Sequence, residues 1–217
     1  MSRTRFAILI GSILFPLLQA SGVAAAPPPS GTISCDNHSS VTVGTIVPPL
    51  PAQAPSTRLS KERVDAIVNG CDLSGVSGGK TTILEGFLSL RATLPPGSSC
   101  ATEYTPSTET SHVMLRGATV KITWRGETFD AGGRRHSVRV GSSIAKIAST
   151  TVVETPMYAI DMVSEPIGAG AFAGQVIRLE LGLYNLGELV TECTSPTGSV
   201  SQIELDPIAV NVAPAGP

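Results

Sequence analysis

The sequence predicts an all-β fold: an antiparallel β-sandwich or partly closed barrel, Ig-like in general architecture, carrying two disulfides. Three observations predict it. Apolar and polar residues alternate with a period of two along several short runs, such as Val120, Ile122 and Trp124 against Lys121, Thr123 and Arg125. Gly and Pro clusters punctuate the chain between those runs. Four cysteines, an even number, follow a leader of the kind that directs export.

The leader comes first. Arg3 and Arg5 supply a positive start, and Phe6 to Ala20 is an apolar run of 15 residues. A spanning helix needs about 20 residues, and Pro16 would kink this one. Ala24 and Ala26 form an A-x-A cleavage signature ahead of Pro27-Pro28-Pro29. Residues 1–26 are therefore expected to be a signal peptide, 27–31 a linker and 32–217 a single β-domain, secreted and without a membrane span after cleavage. No cysteine directly follows the apolar run, so a lipoprotein anchor is not expected.

About 190 residues remain, enough for one real core. Arg3 and Arg5 leave with the leader, so 13 bases face 17 acids and the balance is −4, spread along the chain. No clustered Lys/Arg with stacking aromatics points to nucleic acid. Cys35, Cys71, Cys100 and Cys193 read as two disulfides, because exported chains oxidise. Three pairings are open; the preferred one is Cys35–Cys71 with Cys100–Cys193. Zinc needs ligands closer than the 29 residues that separate the nearest two cysteines.

Along the domain, Thr32 to Val47 reads as two short strands broken around Asp36-Asn37-His38. Pro48 to Pro55 lacks ladder donors at four positions and reads as a loop or edge crossing. Residues 60–70 are ambiguous. Ser60 can cap a helix with Leu59 stapled onto Val64, yet Val64, Ala66 and Val68 also alternate as a strand would. Residues 120–125 form a strand whose Trp124 is expected in the core. Ile177, Leu179, Leu181 and Leu183 oppose Arg178 and Glu180, and Ile203/Leu205 and Ile208/Val210/Val212 continue the pattern around Pro207. Such strands between Gly/Pro turns are what a sandwich or barrel requires.

Several motifs imitate chemistry. Gly75-Val76-Ser77-Gly78-Gly79 matches a nucleophile elbow, and Ser77, Asp130 and His136 stand in hydrolase order. The elbow needs a following helix, whereas Lys80 to Leu84 reads as strand. Gly79-Lys80-Thr81 lacks the first glycine of a phosphate loop, since position 74 is Ser74. Gly168 to Gly174 ends one residue late for a dinucleotide motif and reads as a flexible turn region. His38, His112 and His136 have no metal-ligand spacing. Asn37-His38-Ser39 fits a glycosylation sequon. Arg134-Arg135-His136 is a small basic knot beside a Gly-Gly turn and reads as a solvated hairpin tip; if the chain binds an acidic polymer, this tip with Arg125 and Arg139 is the first place to look. No catalytic, cofactor or metal residue is expected.

The segments GTISC, VNGC, PGSSC, ATVKITWRG, GAFAG and QVIRLELGLY, with Cys193 before a closing turn, resemble uncharacterised secreted β-rich, disulfide-containing proteins of actinobacteria. The resemblance spans most of the mature chain. It implies a compact β-sandwich and favours a strand over residues 63–71, and it attaches no activity. The expected role is thus surface contact, without catalysis, with an envelope glycan or protein. A small secreted serine hydrolase using Ser77 is the alternative.

Overall fold

The computed structural model describes residues 27–36, 41–77, 82–104, 117–153 and 159–215. The expected leader, the Asn37–Ser39 sequon and His112 lie outside the described residues. Eleven strands and two short helices are formed among the described residues. In chain order the strands are β1 (Ser30–Gly31), β2 (Ile33–Asp36), β3 (Thr42–Pro51), β4 (Ser60–Asp72), β5 (Val76–Ser77) and β6 (Thr82–Leu94). They continue as β7 (Thr119–Phe129), β8 (Arg135–Val153), β9 (Ala159–Ser164), β10 (Gln175–Leu183) and β11 (Ser199–Pro214). Helix α1 is Cys100–Tyr104 and α2 is Leu186–Thr194.

The main sheet runs β10-β9-β8-β7-β6-β4-β2-β11-β3, and further pairing of β10 with β11 and of β4 with β3 joins its edges. Both β2 and β3 run antiparallel to β4 and β11, so they act as one interrupted stave. The result is a closed antiparallel barrel of eight staves. The expected sandwich and Ig-like arrangement find no support in this strand order. Closure removes both edges that two packed sheets would leave open.

Alternation decides what fills the barrel. Along β4 the side chains of Ser60, Glu62, Val64, Ala66 and Val68 are buried while Lys61, Arg63, Asp65, Ile67 and Asn69 are exposed. This is the two-residue period of a strand, which settles the segment that could also have capped a helix. Val64 pairs with Leu90, Leu90 with Val120 and Val120 with Ala145, so one apolar ring crosses four strands. Trp124 is fully buried, as expected. A Cβ on Gly86 would come within 3.0 Å of the Trp124 ring and 2.9 Å of Ile122, so glycine makes the room that the indole fills.

Two expectations change here. Pro48, Pro49 and Pro51 lie in β3 rather than in a loop. The β3–β4 ladder ends at Val47↔Lys61, and the β3–β11 register jumps from Thr45↔Gln202 to Leu50↔Val200. Pro48 and Pro49 thus fall where no ladder N–H is required. Ser30–Gly31, read as linker, pairs with Val76–Ser77 as a short ribbon.

Each end of the barrel is stoppered. At one end the 168–174 loop, expected to be flexible, packs Ala171 and Phe172 into the core at 1% and 0% exposure. The Phe172 ring meets Trp124 edge-on at 5.4 Å. At the other end α1 and α2 are joined by Cys100–Cys193, and Ala101 N–H donates to the Ala52 carbonyl at 2.8 Å. The second disulfide, Cys35–Cys71, ties β2 to β4. Both bonds match the preferred pairing.

Candidate functional site

The interior is mostly apolar, with Glu62, Ser60 and Ser143 as buried polar exceptions, and most charged side chains lie on the outside. The charged residues are not evenly spread as the sequence reading held. Twelve of the 13 bases after residue 26 fall between Arg58 and Lys146, whereas Arg178 is the one base after that point, against eight acids. The fold turns this sequence asymmetry into two walls. Contiguous strands β4, β6, β7 and β8 carry exposed Lys61, Arg63, Lys121, Arg125, Arg139 and Lys146. Strands β9, β10 and β11 form the opposing side, with exposed Asp161 and Glu180 and partly exposed Glu204 and Asp206.

On the basic wall, Arg63 of β4 and Arg91 of β6 are direct cross-strand partners. Like charges placed so repel by roughly 0.2–1 kcal/mol. Asp65 resolves this pair: it bonds Arg63 and accepts from Arg91 at 2.9 Å. Partial desolvation pushes the Asp65 carboxyl up, but hydrogen bonds from Arg63, Arg91 and Ser89 outweigh it and hold the group below its ordinary value.

Arg125 of β7 and Arg139 of β8 are a second like pair, directly opposed beside a bulge. Neither has a carboxylate partner among the described residues. The Arg125 guanidinium lies 4.4 Å above the Phe87 ring, which holds its flat face and leaves its N–H edge outward. Arg139 donates to Ser142 Oγ at 2.8 Å. A groove of about 510 Å³ adjoins them, lined by Arg63, Asp65, Ile67, Phe87, Lys121 and Thr123 among others. Ile67 is 47% exposed, so the groove has an apolar floor. Preorganised arginines beside such a floor can hold an anionic, partly apolar partner.

The Arg134-Arg135-His136 segment is an exposed hairpin tip, as expected. Asp130 Oδ1 accepts from Gly132 N–H at 2.9 Å and Arg134 N–H at 2.8 Å, closing the β7–β8 turn. Its carboxyl is held low by the Arg134 backbone N–H and then by His136. Arg135 pairs with Glu127, so that charge is already answered.

The structure does bring Asp130 and His136 together, with Oδ2 to Nε2 at 3.3 Å. Ser77 is not joined to them by a hydrogen bond. Its Oγ lies 3.0 Å from Ser30 Oγ instead, in the β1–β5 ribbon. Residues 78–81, which hold the rest of the elbow and the Gly-Lys-Thr motif, lie outside the described residues. No cluster of His, Cys, Asp and Glu among the described residues could hold a metal.

Sequence reasoning missed three features. Helix α2 had a signal, because Leu186, Leu189, Val190 and Cys193 repeat at helical spacing. Buried Glu62, 2% exposed inside the barrel, had none beyond the alternation of its strand. The cross-strand opposition of Arg125 and Arg139 depends on register, which the sequence does not print.

Compared with protein families, curated proteins and solved structures, the chain matches none of them. The two disulfides are consistent with an oxidising environment. Among the described residues no helix is long and apolar enough to cross a membrane.

Proposed function

We propose that this chain is an exported, non-enzymatic β-barrel that works by surface contact, its basic outer wall holding an anionic glycan of the cell envelope. The observation that carries the reading is the Arg125–Arg139 pair, two opposed cations without a carboxylate partner among the described residues, next to the Ile67–Phe87 groove. The interior supports it: Trp124, Phe172 and the mostly apolar inner faces of the staves occupy the barrel, with Ser60, Glu62 and Ser143 buried among them. A charged exterior over an apolar interior is also the reverse of a membrane barrel, whose lipid-facing side is apolar.

Binding of the purified protein to a polyuronate, with neutral dextran as control, tests the proposal. The polyuronate is expected to bind and to be released by salt, as contacts between exposed charges are. R125E/R139E should weaken binding at least about tenfold, equivalent to about 1.4 kcal/mol. Unchanged affinity in that variant would remove the basis for the reading. S77A should leave binding unaffected, and any ester turnover abolished by S77A would restore the hydrolase alternative.

A further inference from the structure

The opposite wall repeats the same electrical problem with inverted sign. Asp161 of β9 and Glu180 of β10 are direct cross-strand partners, and both are exposed. Neither has an ion-pair partner among the described residues. They border a groove of about 490 Å³, shared with Val163, Arg178, Ala209 and Asn211. Arg178 lies in that groove yet forms no ion pair with either acid among the described residues, and Glu204 and Asp206 add to the negative side. So one wall holds two opposed arginines, and the other holds two opposed carboxylates.

The chain itself shows how such a pair is resolved. Arg63 and Arg91 are bridged by Asp65. Among the described residues nothing equivalent reaches Arg125 and Arg139, or Asp161 and Glu180. We infer that a second copy of this chain supplies the missing partner: the Arg125/Arg139 wall of one copy docks on the Asp161/Glu180 wall of the next. The complementary charges are on one molecule, and each wall carries a groove of similar volume with an apolar component, Ile67 and Phe87 on one side and Val163 and Ala209 on the other. The two surfaces differ, so the contact is head-to-tail. Such contacts propagate into rings or open chains and do not stop at a two-fold dimer. The inference is separate from glycan binding, although both engage Arg125 and Arg139.

Sedimentation velocity on the intact mature protein reads it out. At about 10 mM salt, where charges are felt over about 30 Å, the sedimentation coefficient should rise with protein concentration. At about 1 M, where the range is about 3 Å, it should fall to the monomer value. R125E/R139E and D161R/E180R should each be monomeric at low salt, and an equimolar mixture should regain the association that neither shows alone. Trp124 fluorescence confirms that both variants keep their core. A wild-type protein that stays monomeric at low salt at every concentration overturns the inference, as does a mixture that remains monomeric. D161R/E180R should retain polyuronate binding while losing self-association, so failure of one idea is distinguishable from failure of the other.

Discussion

At the scale of single residues, a buried polar relay joins the core to its stopper. Trp124 Nε1–H donates to Ser143 Oγ at 2.9 Å, and Ser143 Oγ–H donates to the Ala171 carbonyl at 2.8 Å. Ser143 is fully buried, so no water replaces it. S143A should therefore cost about 1–3 kcal/mol by stranding both neighbours, measured as a lower urea midpoint with Trp124 fluorescence as probe. Phe172 adopts φ 58° without being glycine, held by its ring contact with Trp124 and by its backbone N–H donating to the Pro29 carbonyl at 2.8 Å. Asp65 sets an acid sensitivity. Its carboxyl is lower in the folded chain than in the unfolded one. That contribution is whole above the unfolded value of about 3.9 and is lost as pH falls through the folded value. Wild type should lose more stability than D65N on acidification from about pH 5 to pH 2. Because Asp65 is partly exposed, the difference will be small, and equal losses would show that the arginine bridge contributes nothing.

At the scale of elements, the disulfides close two separate loops, of 36 and 93 residues. Both pairs should stabilise by about 2–5 kcal/mol, and loop entropy makes the longer loop worth about 1 kcal/mol more. Comparing C100S/C193S with C35S/C71S by urea denaturation checks this; a larger loss from the shorter loop would mean that strand tethering outweighs loop closure. The elements that were plain in the sequence are those in which one face is buried throughout. Strand β7 alternates along most of its length and β10 does so from Ile177 to Leu181, and Trp124 lies where that period places it. Strand β3 was obscured because its prolines, which usually exclude a ladder, sit at a gap between two registers. In the 168–174 segment the glycine spacing does mark a turn, but only the contact with Trp124 shows that Phe172 packs inward. The arginines of the candidate site were named from composition around a hairpin, while their roles divided by register. Arg135 is paired with Glu127, and Arg125 is set against Arg139.

For the whole molecule, period and turn spacing predicted antiparallel β-structure, but not whether the sheet would close. Closure depends on β11 reaching both β10 and the β2–β3 stave, contacts between residues far apart in the chain. Once closed, the barrel divides its surface by chain order, since the base-rich middle of the sequence forms β4 to β8 and the acid-rich remainder forms β9 to β11. A net charge of only −2 conceals that polarity. The outer walls therefore carry opposite local fields, on which the proposed surface contact rests.

The most direct measurement is a chemical-shift map of the isotope-labelled protein titrated with an acidic oligosaccharide, recording backbone amides and the Trp124 indole together. If the outer wall binds, shifts should cluster at exposed positions of β4, β6, β7 and β8, around Ile67, Phe87, Lys121, Arg125 and Arg139, while the Trp124 indole stays in place. Movement of the Trp124 indole and of the buried residues of β10 and β11, with the basic wall unchanged, would mean that the ligand enters the barrel and would contradict the proposal.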